Sequence, residues 1–238
     1  HVYLFGGTRQ DDKMLGDLLV HDGKGWELQY SEGLSPESRA WATLSGPVVP
    51  CDDDNMAILI LLGGLSERLV PSSGLGIPAR MTLLDPWLYS PVKKQWSRPT
   101  VLGDPSTDHP IPRMRHSATV VGDILFLFGG QTSERGESAS TRGREGRELW
   151  AFHNKNRNRN RNRNIPGDSS WAWVDLTSSV PSRLVPRSGH AAVAAHDRYL
   201  IILGGRKLAN ADVVPGSGVH HLRDIWRFDT FAAGKGHH

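Results

Sequence analysis

An apolar run that ends in Gly-Gly occurs four times along this chain, and this repetition constrains the fold more than any other feature. The four runs occupy Val2–Gly7, Ala57–Gly64, Ile124–Gly130 and Tyr199–Gly205. Each run is followed by a second six-residue block whose first residue is acidic: Asp17, Asp85, Glu148 and Asp224. Successive Gly-Gly pairs are 57, 66 and 75 residues apart, which indicates a repeat array whose loops differ in length.

Short apolar segments separated by turn residues predict β-strands within each unit. In the third unit, His116–Val121 and Ile124–Phe128 flank the tight turn Gly122-Asp123. The second of these strands is apolar at every position, as strands buried on both faces usually are. Each unit is therefore predicted to form a small sheet that packs between neighbouring sheets.

Tryptophan recurs at two positions of the units, which favours a structural role. One series is Trp87, Trp150 and Trp226, and the other is Trp26, Trp96 and Trp171 or Trp173. An aromatic side chain in such a position buries on the order of 150–250 Å². We expect Trp26, Trp96 and Trp171 to fill the space between adjacent sheets rather than to bind a ligand, because their repetition already accounts for them.

An arginine precedes the first strand of three units, at Arg39, Arg113 and Arg187, and His116 and His190 follow two of these arginines. Arg-x-x-His is compatible with catalysis, but an active site occurs once whereas a determinant of the fold occurs in every repeat. The recurrence therefore favours structural hydrogen bonds. Glycine permits positive φ and close backbone approach, so the doublets are also assigned to the fold: Gly6, Gly7, Gly63, Gly64, Gly129, Gly130, Gly204 and Gly205.

Together these features resemble the kelch repeat, and the resemblance runs from Val2 to Asp229. It implies an all-β fold, a kelch-type β-propeller with four-stranded antiparallel blades. A single region is expected over 1–238, with units at about 1–30, 36–97, 112–176 and 186–231. The first unit lacks a first strand and the last lacks a fourth, so the expectation is three and a half blades of an incomplete ring. The pattern is broken at Ala42, Ser90, Glu148 and His153.

The sequence favours a binding module over an enzyme. Some kelch propellers are catalytic, and galactose oxidase needs a copper site with tyrosine and histidine ligands and a cysteine joined to a tyrosine. Here the one cysteine, Cys51, stands in an acidic turn away from the tyrosines. No P-loop, Gly-x-Ser-x-Gly or His-Glu-x-x-His motif occurs, and the adjacent His220 and His221 would point apart in an extended segment. We therefore predict no catalytic residue, metal, cofactor or small-molecule substrate.

The long loops after each Gly-Gly open on one face of such a propeller and form the predicted binding surface. The candidate partner-binding residues are Arg135, Arg142, Arg144, Arg147, Arg206, Lys207, His220, His221 and Arg223. A mixed-charge surface rich in arginine suits an acidic peptide or protein partner. The alternative left open for any one of these residues is a solvated loop without a partner.

A low-complexity tract at 154–164 alternates asparagine with Lys155 and four arginines, and it neither packs nor forms a strand core. The formal charge of the chain is +3, and removing these five basic residues leaves −2, so a broad basic face is not indicated. Contact with nucleic acid is expected only through Arg157–Asn164. Because no aromatic residue is interleaved there, a tolerated loop insertion is the favoured interpretation.

The remaining expectations concern cellular context. No apolar run approaches the roughly 18 residues of a membrane span, so no membrane contact is predicted. A single cysteine favours a reducing compartment, and the predicted location is the cytoplasm. The chain begins with His1 inside a repeat, which indicates a fragment. The predicted function is a non-catalytic protein-interaction module; the alternatives are a propeller appended to an enzyme or ubiquitin-ligase adaptor, and an oxidase-like catalytic propeller.

Overall fold

Four antiparallel sheets follow one another along the chain. The structure, a computed structural model, describes residues 1–48, 57–69, 78–132, 144–155, 170–208 and 218–233. The first sheet consists of β1 (Val2–Phe5), β2 (Leu18–His21) and β3 (Trp26–Gln29), and the second of β4 (Thr43–Val48), β5 (Ile58–Leu62), β8 (Trp87–Ser90) and β9 (Gln95–Ser97). The third contains β12 (Ser117–Val121), β13 (Ile124–Phe128), β16 (Leu149–Asn154) and β17 (Ser170–Asp175), and the fourth β18 (Ala191–Ala195), β19 (Tyr199–Leu203) and β22 (Ile225–Asp229). The predicted propeller blades are confirmed.

The sheets pack face to face in succession, and the apolar second strands supply most of the core. Phe5 of the first sheet lies edge-on to Trp96 of the second, with ring centroids 5.3 Å apart. The second and third sheets enclose an apolar cluster that includes Ile60 and Phe152. The third and fourth sheets pack through a cluster that includes Phe128 and Ile202. The inner strands β4, β12 and β18 lie side by side, so the four sheets form an arc around one axis.

The tryptophans of the fourth strands differ in burial, and the prediction for one of them is wrong. Trp96 and Trp171 are buried between sheets, the latter with 1% of its surface exposed. Trp26, expected in the core, is 53% exposed. It lies on the outer face of the first sheet beside His21, and no other described sheet of the chain packs on that face.

Two elements go beyond the four-stranded pattern. The third sheet has a fifth strand, β10 (Thr100–Leu102), which runs parallel to β17 and places Val101 against the core. The connections after Gly-Gly fold back as short hairpin ladders. These pair β6 (Gly64–Leu69) with β7 (Pro78–Leu83), β14 (Gln131–Thr132) with β15 (Arg144–Glu145) and β11 (Arg113–Met114), and β20 (Arg206–Leu208) with β21 (Val219–His221).

The remaining regular structure is small. A 3-10 turn covers Thr177–Ser179, and α1 covers Thr230–Ala233. Strand β16 extends through Asn154, so the asparagine-rich tract begins as strand, and residues 156–169 lie outside the described residues. The unit boundaries remain a prediction. Among the described residues, no helix is both long enough and apolar enough to cross a membrane.

Candidate functional site

A buried arginine precedes the first strand of three units and makes the same bonds in at least two of them. Arg39 donates from Nη1 to the carbonyl of Gly63 at 3.1 Å and binds the Asp85 carboxylate with both terminal nitrogens, at 2.9 and 3.1 Å. Arg187 repeats this arrangement with Gly204 at 2.9 Å and Asp224 at 2.7 and 2.8 Å. The hydrogen bonds from Arg187 hold the pKa of Asp224 down at about 2. The guanidinium therefore joins the Gly-Gly doublet to the acidic block.

The third unit makes this connection less completely because Glu148 replaces aspartate. Arg113 donates to the Gly129 carbonyl at 2.7 Å but reaches Glu148 with one nitrogen only, at 3.3 Å. Burial lowers the pKa of Arg113 by more than Glu148 raises it. In the second unit the Trp87 indole donates to Asp85 at 2.8 Å, whereas the Trp150 indole nitrogen is buried and has no partner in the described part of the chain. With the longer glutamate side chain, the Arg113 guanidinium makes only one bond to the carboxylate, and the Trp150 indole makes none.

The substitution Glu148→Asp is expected to stabilise the chain by about 1 kcal/mol, because it allows a bidentate bond from Arg113 and a bond from the Trp150 indole. Asp224→Glu, the reverse change in the fourth unit, should destabilise it by a similar amount. Urea unfolding followed by circular dichroism measures both. A stabilising effect of both substitutions, or of neither, would contradict this account.

The two in-phase histidines connect neighbouring sheets. His116 Nε2 lies 3.0 Å from the Thr43 hydroxyl, and His190 Nε2 lies 2.8 Å from the Ser117 hydroxyl. Burial, reinforced by the neighbouring Arg113, lowers the pKa of His116 to about 3. Burial, reinforced by Arg187, lowers the pKa of His190 to about 4. Both imidazoles are therefore neutral near pH 7, and their contacts with Thr43 and Ser117 join adjacent sheets.

Stability is expected to fall by about 1 kcal/mol for each of these histidines between pH 7.5 and pH 6. In the unfolded chain a histidine titrates near 6.5, so below that pH the unfolded state binds more protons than the folded state, whose histidines stay neutral down to about 4. The stabilisation is complete above pH 7 and is lost as the pH falls. Urea unfolding at several pH values tests this, and the double variant His116→Gln/His190→Gln should flatten the pH dependence. An equally steep dependence in the double variant would exclude these two residues as its cause.

The hairpins after Gly-Gly are anchored at their bases on the long-loop face, the face onto which these connections open. Ala40, Met114 and Ser188, which follow the three buried arginines, pair with the hairpin strands β6, β14 and β20. Met14, Ala40, Leu65 and Met114 form a small buried apolar cluster beneath this face. Glu145 accepts hydrogen bonds from the Ser188 hydroxyl at 2.8 Å and the Leu208 amide at 2.6 Å, which ties the third hairpin to the fourth. The bases of these hairpins therefore form one connected surface.

The fourth hairpin gathers most of the described candidate residues. Arg206 lies opposite His221 and Lys207 opposite His220 across the β20–β21 ladder, and the exposed Arg223 follows directly. Arg144 on β15 is also exposed, whereas Arg147 donates to the Ser182 carbonyl at 3.3 Å. Within the described ranges, no acidic side chain forms an ion pair with Arg144, Arg206, Lys207 or Arg223. Arg135 and Arg142 lie outside the described residues.

Sequence reasoning missed a second feature of this face. Trp41 and Arg115 both have left-handed backbones, each with φ of 55°, and each stands two residues after a buried arginine. The Arg115 guanidinium lies 4.1 Å from the centre of the Trp41 ring, which is 42% exposed. The Arg115 amide donates to the Trp41 carbonyl, and the Gly189 amide donates to the Arg115 carbonyl. The sequence did carry a signal for this feature, because Trp41, Arg115 and Gly189 each stand two residues after a repeated arginine.

Among the described residues, no group of three or more histidine, cysteine or acidic side chains is arranged to hold a metal ion. Cys51, considered above only for a cross-link to a tyrosine, lies outside the described residues. The arrangement offers cations and an exposed aromatic ring on the long-loop face, which can bind a carboxylate-bearing ligand.

Comparison with known proteins places these features in context. The family model described as the KLHDC2/KLHL20/DRC7 Kelch-repeats domain matches residues 1–233. Human host cell factor 2 is 27% identical over 248 residues, which cover 96% of this chain and 27% of that protein. Acyl-CoA-binding domain-containing protein 4 of Arabidopsis thaliana is 27% identical over 209 residues, which cover 86% of this chain and 25% of that protein. The chain thus spans about a quarter of the length of these two relatives.

A solved structure supports the same architecture. The structure of YjhT matches with a TM-score of 0.62 at 15% identity, over 96% of this chain and 65% of that one. At this identity the likeness concerns the fold alone.

Proposed function

The chain belongs to the kelch-repeat domain family, and we propose that it is a non-catalytic module that binds an acidic segment of a protein partner on its long-loop face. Kelch-repeat domains are typically protein-interaction modules. The single observation that carries the proposal is a set of basic side chains that have no acidic partner within the described residues: the exposed Arg144 and Arg223 and the half-buried Arg206 and Lys207. The proposed contact residues are Arg144, Arg206, Lys207, His220, His221 and Arg223.

Charge and position both support this ligand class. Removal of the asparagine-rich tract leaves the chain near neutral, so the cations of the fourth hairpin are a local feature rather than part of a basic protein. Arginine binds carboxylates through two parallel hydrogen bonds, and lysine adds charge. The exposed Trp41 ring beside Arg115 offers an apolar contact on the same face. A rigid scaffold beneath such loops limits the ordering entropy that binding would cost.

The alternatives weighed from the sequence concern a longer polypeptide. The relatives extend well beyond the region matched here, and the name of one family of them contains an acyl-CoA-binding domain. If the chain is the recruiting part of an enzyme or ubiquitin-ligase adaptor, the same face binds the partner, and only the identity of that partner differs. The oxidase-like alternative requires a copper site. A reducing compartment such as the cytoplasm remains the proposed location.

The charge-reversal variant Lys207→Glu/Arg223→Glu is expected to bind a fluorescein-labelled, glutamate-rich peptide at least about tenfold more weakly than the unchanged chain, because two attractive contacts become repulsive. The matched control Lys24→Glu/Lys93→Glu changes the net charge equally in turns on the opposite face and should stay within about twofold. Fluorescence anisotropy at two salt concentrations measures both. Equal weakening of the two variants would show attraction by net charge alone and would refute the site, as would a failure of the unchanged chain to prefer this peptide over its glutamine counterpart.

A further inference from the structure

Two half-buried arginines are hydrogen-bonded to the Ser188-Gly189 segment on the long-loop face. The Gly189 amide donates to the Arg115 carbonyl at 2.8 Å. Arg206 exchanges two backbone hydrogen bonds with Ser188, at 2.9 and 3.0 Å, and its Nε donates to the Ser188 hydroxyl at 3.4 Å. Within the described part of the chain, no acidic side chain forms an ion pair with either arginine. Glu145 also reaches Ser188, but both of its carboxylate oxygens already accept hydrogen bonds within the chain.

The Trp41 ring orients the Arg115 guanidinium. The guanidinium lies 4.1 Å from the ring centre, and the Arg115 amide donates to the Trp41 carbonyl at 3.1 Å. A stacked guanidinium contacts the ring through its flat face, so the N–H groups in its plane stay available for a carboxylate. The stacking therefore orders this arginine before a ligand binds, which lowers the entropy cost of binding.

Gly189 leaves open space at the position that Trp41 and Arg115 fill in the two preceding units. The three residues have left-handed backbones, with φ of 55° at Trp41 and Arg115 and 60° at Gly189. Gly189 is exposed, and a Cβ atom there would meet nothing within 4 Å. The other two residues show that this position of the unit accepts a side chain. The space beside Gly189 is therefore open to a side chain of a ligand, next to two arginines without acidic partners.

Building on the proposed function, we propose that Arg115, Trp41 and Gly189 determine which acidic segments bind: the site takes a glutamate or aspartate that stands beside a large aliphatic residue. The carboxylate binds the Arg115 guanidinium in the space beside Gly189, and Arg206 adds charge. The aliphatic side chain covers the Trp41 ring, 42% of whose surface is exposed, and excludes water from the ion pair. The cations of the fourth hairpin attract acidic segments in general, whereas this site selects among them.

The test compares two fluorescein-labelled, glutamate-rich peptides of equal charge, one with a central Glu-Leu pair and the other with Glu-Ser in its place. In fluorescence anisotropy, the unchanged chain should bind the Glu-Leu peptide at least about fivefold more tightly. Trp41→Ala should abolish this preference, and Trp41→Phe, which keeps an aromatic ring, should retain most of it. A role of Trp41 in folding alone would not change the ratio of the two affinities.

Two further variants test the carboxylate and the open space. Arg115→Gln should weaken binding of the Glu-Leu peptide at least about tenfold, because it removes a charge-assisted hydrogen-bonded pair. Gly189→Asn fills the open space with a side chain that tolerates positive φ, and it should weaken binding of the same peptide. Circular dichroism establishes that each variant is folded before its binding is measured.

Arg198→Gln is the matched control for Arg115→Gln. The Arg198 guanidinium also lies over an aromatic ring, 5.1 Å from the centre of Tyr199, but it already binds Asp229 and stands in a turn on the opposite face. The affinities for both peptides should stay within about twofold in this variant. An equal loss in Arg198→Gln and Arg115→Gln would show attraction by net charge alone and would overturn the inference.

The outcomes separate this inference from the proposed function. Equal binding of the two peptides by the unchanged chain, a preference that survives Trp41→Ala, or full binding by Arg115→Gln would each overturn the inference. Those results would leave the charge-reversal test at Lys207 and Arg223 standing. A failure of the unchanged chain to prefer glutamate-rich over glutamine-rich peptides would instead overturn both.

Discussion

Gly130→Ala is expected to lower the free energy of unfolding by about 3 to 4 kcal/mol, the largest effect we predict. Gly130 has φ of +93°, a conformation that L side chains rarely adopt. A Cβ atom there would lie 2.7 Å from the Cβ of His116 and 2.9 Å from the carbonyl oxygen of Met114. Both contacts are with atoms held by the adjoining segment of the same unit, so the backbone has to move.

A matched glycine separates conformational strain from close contact. Gly7 occupies the same position of the first doublet with φ of +109°, but a Cβ atom there would meet nothing within 4 Å. Gly7→Ala should therefore cost only the backbone strain, about 1 to 2 kcal/mol. Urea unfolding at neutral pH measures both variants. Equal losses would show that the close approach at Gly130 contributes nothing, and our account of the second glycine would be wrong.

Arg187→Ala is expected to lower the free energy of unfolding by about 3 kcal/mol. The side chain is fully buried and donates to the carbonyls of Val185 and Gly204 as well as to Asp224. Removing it leaves two backbone acceptors without their donor and opens a cavity. The ion pair itself contributes less, because the Asp224 side chain is 37% exposed and water can solvate the freed carboxylate.

The same measurement on Arg206→Ala provides the control, since this arginine begins the neighbouring hairpin and is only partly buried. Its removal should cost less than about 1 kcal/mol. Arg187→Lys should fall between the two, because an ammonium group keeps the charge but cannot make the bidentate bond. A loss of less than about 1 kcal/mol for Arg187→Ala would show that the arginine is not a determinant of the fold.

Much of the architecture was available from the sequence because each repeat presents the same chemistry at the same phase. The apolar runs before Gly-Gly predicted buried second strands, and this holds for β5 and β13, whereas β1 and β19 alternate between more and less exposed residues. The repeated Arg39, Arg113 and Arg187 predicted structural hydrogen bonding, and the structure places all three guanidinium groups in buried positions. The candidate binding residues were foreseen as loop residues, and their role stays a proposal.

Other features depend on contacts between segments distant in the sequence. Trp26 is exposed because no other described sheet packs on its side of the first sheet, and the local sequence pattern does not reveal which sheets are neighbours. The bases of the long loops form ladders because residues such as Ala40 and Leu65, 25 positions apart, bond to each other. The Trp41–Arg115 pair joins the starts of two neighbouring units.

The sequence by itself determined that the chain repeats, where its buried strands lie, and which arginine, glycine and acidic residues recur to hold each unit. These properties are local, because the hydrophobic pattern and the backbone conformations that each residue type allows can be read directly from the sequence. Only the tertiary structure decided which faces are covered and which charges remain unpaired on the fourth hairpin. Burial and charge pairing depend on which groups are neighbours in space, and the sequence alone does not determine which groups lack a neighbour.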